Sequence, residues 1–356
     1  MSAHKRMTHE WTHLSSAPGN ASSPGGILLV SPGIPGSFVR QDVAFLKCRF
    51  DVAFLVWQNW GSLAALRRAI RRSDAVVVWF AGRHALPAIW LARRHRRPVA
   101  IIVGGWEAAW VPEVRYGIPP RSIRRRVLQR VLRAADILLP VSDATKEGTL
   151  NLVPDMADRT RRIYHAVDTT RFHFDPETPR RTVLTVGNFS RETITIKGLR
   201  LFWQAAALLP DLPFVAVGPT RDRMGEEFVA RRPANLTWTG PLEGQELLAR
   251  FREAKVYFQG SLHESFSVST AEAMACGCIP AVTRRGALPE VVGDTGVYLE
   301  TLTADAAAAA IRDAWGYAEP RRADARQRVM DLFSPQRRRQ ELCESIDTMI
   351  EEYRAR

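Results

Sequence analysis

Short, unbroken apolar runs alternating with helix-like segments, in two successive series, constrain this chain more than any other feature. In the first series GILLV (26–30), DVAFLV (51–56), DAVVVWF (74–80), PVAIIV (98–103) and DILLPV (136–141) read as strands. Between them, segments such as 62–72 and 84–95 carry apolar residues at helical spacing. A strand with one wet face alternates apolar and polar residues, whereas a run that is apolar throughout is buried on both faces. That is the condition of a parallel sheet covered by its own crossover helices. The first half is therefore expected to be one doubly wound α/β domain.

After FHFDPETPRR (172–181), rich in proline and charge, the pattern restarts. TVLTVG (182–187), PFVAVG (213–218), LTWTG (236–240), KVYFQG (255–260), CIPAV (278–282) and GVYLE (296–300) make a second series. A chain of 356 residues has material for two cores. The expected division is an N-terminal domain over 26–175, a C-terminal domain over 176–334, and a helix over 335–356 that can cross back to the N-terminal domain. Ser334 and Pro335 supply the cap and first position of that helix. Residues 1–25 are polar with no apolar core of a signal peptide, and read as a disordered leader. The expected fold class is α/β, two doubly wound Rossmann-like domains facing each other across a cleft, since ligands of open parallel sheets sit outside the carboxyl ends of the strands.

Charge and cysteine narrow the function classes. The formal net charge is +13, and 45 of the 50 basic residues are arginine. They cluster in RRAIRR (67–72), RRHRR (93–97) and RSIRRRVLQRVLR (121–133). In the last run Ile123, Val127, Leu128, Val131 and Leu132 fall on one helical face and arginines on the other. A solvated surface helix, a dock for an anionic acceptor and an interfacial membrane helix all fit that pattern. No zinc finger or other nucleic-acid-binding signature accompanies the charge, so no nucleic-acid partner is expected. Four scattered cysteines give neither a zinc pattern nor a disulfide framework, which points to a reducing, cytoplasmic compartment. A peripheral contact with the inner face of an anionic membrane through 121–133 stays open.

The chemistry concentrates in LHESFSVSTAEAMACGCIPAV (262–282). Glu264 follows the end of a strand, and Glu272 lies about one turn into a helix that starts near Ser267–Ser269 and stops at Gly277. Between the two glutamates, the helix N-terminus offers backbone N–H groups to an anion such as a diphosphate. Each glutamate alone is explained as well by solvation or by the helix dipole. The combination with a loop of small residues favours binding.

Those residues resemble the E-x7-E signature of retaining glycosyltransferases of the GT-B architecture, family GT4. The likeness extends, in family order, through VSDATKEG (141–148), IYHAVDTTRF (163–172), VGNFSRETITIKGLRLFWQAAALLP (186–210) and GALPEVVGDTGVYLE (286–300). It implies that Glu272 binds the donor ribose and Glu264 lies near the transferred sugar. It implies donor contacts, largely through backbone, from Ser265, Phe266, Ser267, Val268 and Ser269, and from Gly187 and Asn188. Lys197 is similar to the family lysine that neutralises the leaving diphosphate. The family has an arginine where this chain has Asn188, and Arg191, three residues on, stands to supply that charge. Where the family has a His-Gly turn after the fourth strand, this chain reads Gly104-Gly105-Trp106-Glu107, with Glu107 in the acidic role and Trp106 either on a sugar or packed beneath the loop. Gly33 and Gly36 form the first loop, which the resemblance sets beside the acceptor.

The implied reaction moves a hexosyl group from a nucleotide diphosphate sugar, UDP or GDP, to a hydroxyl of a saccharide, lipid-linked or small-molecule acceptor. It proceeds with retention and without cofactor or metal; the chain has no Asp-x-Asp. Two alternatives remain. A basic membrane-surface or nucleic-acid-binding protein would explain the charge but not residues 262–282. An NAD(P)-dependent oxidoreductase would share the fold, yet no G-x-G-x-x-G follows a strand.

Overall fold

The computed structural model describes residues 26–33, 36–317 and 319–356, and the leader expected over 1–25 lies outside them. Contacts divide the chain into two compact units. One comprises the chain up to Trp110, Gly117–Tyr164 and Gln336–Arg356; the other comprises Val111–Tyr116 and His165–Pro335.

In the first unit the elements run β1 (Gly26–Pro32), α1 (Ser37–Lys47), β2 (Asp51–Trp57), α2 (Leu63–Arg72), β3 (Ala75–Trp79), α3 (Ala85–Arg94), β4 (Val99–Val103), α4 (Ile123–Arg133), β5 (Ile137–Pro140) and α5 (Asp143–Leu150). The strands form one parallel sheet in the order β2-β1-β3-β4-β5. AVVVW and VAIIV are buried at every position, as unbroken apolar runs require. The order reverses direction at β1. Right-handed crossovers therefore put α1 on one face of the sheet and α2, α3 and α4 on the other. Leu66 and Ile70 of α2, Ala88 and Ala92 of α3, and Leu128 and Leu132 of α4 close the core on that second face. Ile123 departs from the expected apolar face: at the first position of α4 it is 77% exposed, while Leu128, Val131 and Leu132 carry the packing.

On the α1 face the C-terminal segment adds a helix. Arg338 grips Asp42 of α1 through Nε–Oδ1 at 2.6 Å and Nη2–Oδ2 at 2.7 Å, with both side chains buried. Trp79 Nε1 also donates to Asp42, and Arg338 reaches the carbonyls of Ile163 and Tyr164. An ion pair buried this deeply holds only because its remaining hydrogen-bonding groups are also satisfied.

The second unit runs β6 (Thr182–Val186), α6 (Arg191–Ile196), α7 (Leu199–Leu208), β7 (Phe214–Val217), α8 (Arg223–Ala230), β8 (Leu236–Trp238), α9 (Gly244–Glu253), β9 (Ala254–Gln259), α10 (Val268–Ala275), β10 (Ile279–Val282), α11 (Leu288–Val292), β11 (Val297–Tyr298), α12 (Ala304–Gly316) and α13 (Glu319–Leu332), ahead of the terminal α14 (Pro335–Arg354). Its parallel sheet has the order β8-β7-β6-β9-β10-β11. The direction switches between β6 and β9, so a crevice is expected outside the carboxyl ends of those two strands. Contacts separate the units at 164/165, eleven residues before the boundary expected at 175/176. The reason is apolar: Val167 and Phe172 are buried, Val167 N–H donates to the Phe333 carbonyl, and the Phe172 ring packs edge-on against Phe251. Among the described residues no helix is long and apolar enough to cross a membrane.

Candidate functional site

At the switch point of the second sheet, β6 ends in Gly187, where an added Cβ would meet open space. Ser190 then caps the short α6 through a reciprocal arrangement with Thr193. Lys197 closes that helix, and Gly198 follows with φ +63°. A side chain there would collide with the backbone of Gly260, so glycine is required for the turn to rest on the end of β9. The Leu262 N–H donates to the Ile196 carbonyl at 2.8 Å and ties the two loops together.

That joint brings Lys197 onto Glu264. Glu264 is buried, and its Oε1 accepts from Lys197 Nζ at 2.6 Å, Ser261 Oγ at 2.7 Å and Gln259 Nε2 at 3.0 Å. All three donors converge on one oxygen, and Oε2 receives none of them. The Lys197 side chain keeps 36% of its surface exposed, so the pair faces solvent from the lysine side. Gly286 (φ +55°) lies against the Glu264 backbone with no room for a Cβ, and the Ala287 N–H holds the Glu264 carbonyl. The carboxylate is thus fixed by side chain and by backbone.

Ser267 precedes α10 with φ +75°, a left-handed conformation that a non-glycine residue adopts at an energetic cost. No side chain caps the helix; the Thr270 N–H turns back to the Ser267 carbonyl at 3.1 Å, and the Val268 and Ser269 N–H groups ahead of it are left to whatever binds there. Ser267 Oγ pairs with Thr270 Oγ1, and Ser269 Oγ accepts from the buried Tyr257 hydroxyl at 2.8 Å. One turn on, Glu272 is half-buried, and burial pushes its carboxyl up to about 7 against the pull of Arg171. Beside Glu264, burial holds His263 below the usual histidine range, and its buried Nε2 has no hydrogen-bond partner among the described residues.

The loops of the first unit are built differently. Gly33 (φ +66°) is exposed with nothing near its would-be Cβ, and Gly36 opens α1 without a side-chain cap. After β3, Phe80 adopts φ +65° and its ring occupies the place a side chain at Gly104 would need. Glu107 is buried beneath this loop, where Oε1 accepts from the N–H groups of Ala81 (3.2 Å) and Gly104 (3.1 Å) and Oε2 from that of Gly105 (3.1 Å). Burial raises its pKa while those N–H groups oppose the rise. Glu107 organises the loop from within, so the geometry gives it to the backbone rather than to an acidic role at the surface. Trp106 is 44% exposed.

Of the residues read from the sequence, Lys197 and Glu264 are joined directly, and Glu272, Ser267, Val268 and Ser269 share the N-terminal turns of the next helix. Arg191 stands apart. It is the exposed first residue of α6, its N–H bound to Asp222, and the helix of roughly 9 Å separates its backbone from Lys197. Phe266 turns its side chain inward against Phe333, with ring centroids 5.0 Å apart, so only its backbone is left to meet a ligand. Gln259, Ser261, His263 and Arg221 escaped the sequence reading. Arg221 Nε donates to Asn188 Oδ1 at 3.3 Å, which sets a guanidinium at the position where Arg191 was expected to act. A polar Gln259 closing the strand after the apolar pair Tyr257-Phe258 was a visible signal; Arg221 had none.

Known proteins resemble this chain in sequence and in fold. Residues 180–316 match the sequence model of the family described as Glycosyl transferases group 1. The chain is 26% identical over 304 residues to one component polypeptide of the phosphatidylinositol N-acetylglucosaminyltransferase of Arabidopsis thaliana, covering 83% of this chain and 64% of that one, so it spans less than two thirds of that relative. It is 27% identical over 287 residues to a GDP-mannose-dependent α-(1-6)-phosphatidylinositol monomannoside mannosyltransferase of Mycolicibacterium smegmatis, covering 73% and 72%. The fold superposes on Anabaena HepE in complex with UDP and glucose with a TM-score of 0.74 at 16% identity, covering 91% of this chain and all of that one. Sucrose-phosphate synthase from Thermosynechococcus elongatus gives 0.73 at 18%, covering 92% and 100%. The two Rossmann-like units are therefore of the GT-B type, and residues 180–316 are similar in sequence to the glycosyl transferases of group 1.

Proposed function

We propose that this protein is a retaining glycosyltransferase that moves a hexosyl group from a UDP- or GDP-sugar to an acceptor hydroxyl. One observation carries the reading: Lys197 and a rigidly held Glu264 lie between Gly187 and the uncapped end of α10, at the switch point of the second sheet. Lys197 and the helix N–H groups stabilise the charge that grows on the departing diphosphate. Arg221 adds a third positive group beside Asn188. Glu264 Oε2 and His263 Nε2 accept or donate hydrogen bonds at the sugar hydroxyls, and Glu272 accepts those of the ribose. Glu264 Oε1 is already engaged by three donors, which suits a positioning carboxylate better than a nucleophile. The departing phosphate then takes the acceptor proton, and the new bond forms on the face the donor leaves. Positive charge from the protein serves the diphosphate, so no cofactor or metal is required. The acceptor is a saccharide, a lipid-linked sugar or a small molecule; two of the relatives act on phosphatidylinositol-based lipids.

The test is nucleotide release from a panel of UDP-, GDP-, ADP- and dTDP-sugars, with and without a chelator, followed by NMR of the product's anomeric proton. Release with one donor class, undiminished by the chelator and with the donor's anomeric configuration kept, is the expected result. Inversion would overturn the retaining assignment, loss with chelator the metal-free one, and, in a parallel thermal-shift measurement, stabilisation by NAD(P) alone the transferase itself.

A further inference from the structure

Helices α2, α3 and α4 lie side by side on one face of the first sheet. They carry four, two and five arginines respectively and not one Asp or Glu. Among the described residues only Arg133 of these has a carboxylate within ion-pair distance, Asp155. Helical spacing turns the arginines outward because Leu66, Ile70, Leu91, Leu128 and Leu132 face the core. His95, at the end of α3, registers the crowding: desolvation, then Arg67 and Arg71 of α2 together with Arg94 and Arg97, keeps it below the usual histidine range.

Charge is half of the pattern. Each of the three helices follows a parallel strand, so all three begin at the same edge of the sheet, the carboxyl edge. Large apolar side chains stand in the water along these helices: Trp60 just before α2 at 67% exposure and Ile123 opening α4 at 77%, both at that edge, and Trp90 midway along α3 at 61%. Leu86, one turn before Trp90, extends the stripe. Arg124 and Arg126 adjoin Ile123, and Arg124 is exposed. A phosphate polymer would be served by the arginines alone and gains nothing from an exposed isoleucine and leucine. A bilayer uses both, since headgroup phosphates take the guanidinium groups while Trp rings and aliphatic tips settle at the boundary with the acyl chains.

We propose that the face formed by α2, α3 and α4 docks the protein on an anionic lipid bilayer, with Trp60, Trp90 and Ile123 entering the headgroup–acyl boundary. The surface extends beyond the single basic helix at 121–133 and is independent of the donor reading, because docking needs no substrate.

The experiment is co-sedimentation of the full chain with vesicles of phosphatidylcholine alone, or of phosphatidylcholine mixed with phosphatidylglycerol, at low and physiological salt. Tryptophan quenching by brominated acyl chains is read alongside. The wild type is expected to bind the mixed vesicles and not the neutral ones, with quenching. Arg124→Gln with Arg126→Gln should weaken binding roughly 25-fold, about fivefold for each arginine removed. Trp90→Ser with Ile123→Ser should abolish the salt-resistant part of binding, and at low salt should remove the share of the quenching that Trp90 contributes while leaving that of Trp60. Equal binding to both vesicle types, or no quenching in the wild type, overturns the proposal without reference to any variant. Duplex DNA displacing the protein from mixed vesicles, with binding to it insensitive to Trp90→Ser and Ile123→Ser, would assign the face to nucleic acid instead.

Discussion

Replacing Glu272 with glutamine should remove a pH dependence that the wild-type protein carries in both stability and ligand binding. Burial moves this carboxyl from its ordinary 4.5 to about 7 in the folded chain. Between those values the native state holds a proton that the unfolded chain has released. Stability from this group is therefore fully present below pH 4.5 and is lost as the pH rises through 7. The full difference is roughly 3 kcal/mol. Glutamine cannot ionise, so the variant keeps the neutral form at every pH. Melting of wild type and Glu272→Gln at pH 5 and at pH 8 should then show the variant gaining on the wild type at the higher pH. Between pH 5 and pH 8 about 2.5 kcal/mol of that difference is lost, and at roughly 2–4 °C per kcal/mol for a unit of this size the relative gain is about 5–10 °C. Other groups move in the same window: burial raises Glu107 and lowers His84 and His263. They are common to both proteins and cancel in the comparison.

Ligand binding gives the same reasoning a second readout. Ribose hydroxyls donate to a carboxylate, so a bound nucleotide favours the ionised form and draws the pKa of Glu272 down. Binding should release a proton between pH 5 and 7, and affinity should rise with pH by up to about tenfold per unit below 7. Calorimetry in two buffers of different ionisation enthalpy measures the proton directly. A wild type and a Glu272→Gln variant with the same pH slope in both melting and proton release would refute the argument.

Lys197→Met should lower kcat by about a hundredfold or more with a smaller change in KM, as expected for charge stabilisation in the transition state, read by steady-state nucleotide release. Arg221→Ala should weaken nucleotide diphosphate binding by about tenfold, while Arg191→Ala stays within about twofold; calorimetric Kd values separate the two, and the reverse order would return the role to Arg191. Arg338→Met alone should destabilise the first unit by about 3–5 kcal/mol because Asp42 is left charged and buried, whereas Arg338→Met with Asp42→Leu should recover most of the loss in urea unfolding.

How far each feature was legible depends on whether its cause is local. The strands could be read because AVVVW and VAIIV are buried at every position, and burial on two faces leaves an unbroken apolar run as its trace. The end of α10 could be read because Gly277 takes φ +80°; its start falls where it was expected, at Ser267–Ser269, but Ser267 enters it at φ +75° without capping it. Glu107 could not be placed, since a carboxylate after two glycines can face solvent or turn back onto the backbone; three N–H donors decide it, and one of them, from Ala81, comes from a different loop. Arg221 was hidden by topology. The pairing of Val186 with Val217 sets the segments beyond β6 and β7 side by side, and a bridge of Phe189 to Thr220 carries the register past the strand ends. Arg221 is the next residue, so it arrives beside Asn188 from 33 positions away. Arg191, only three positions from Asn188, opens the helix that Ser190 caps, with its N–H held by Asp222. Proximity in sequence pointed to Arg191, whereas strand pairing, rather than spacing, sets the Arg221 guanidinium beside Asn188 at the mouth of β6.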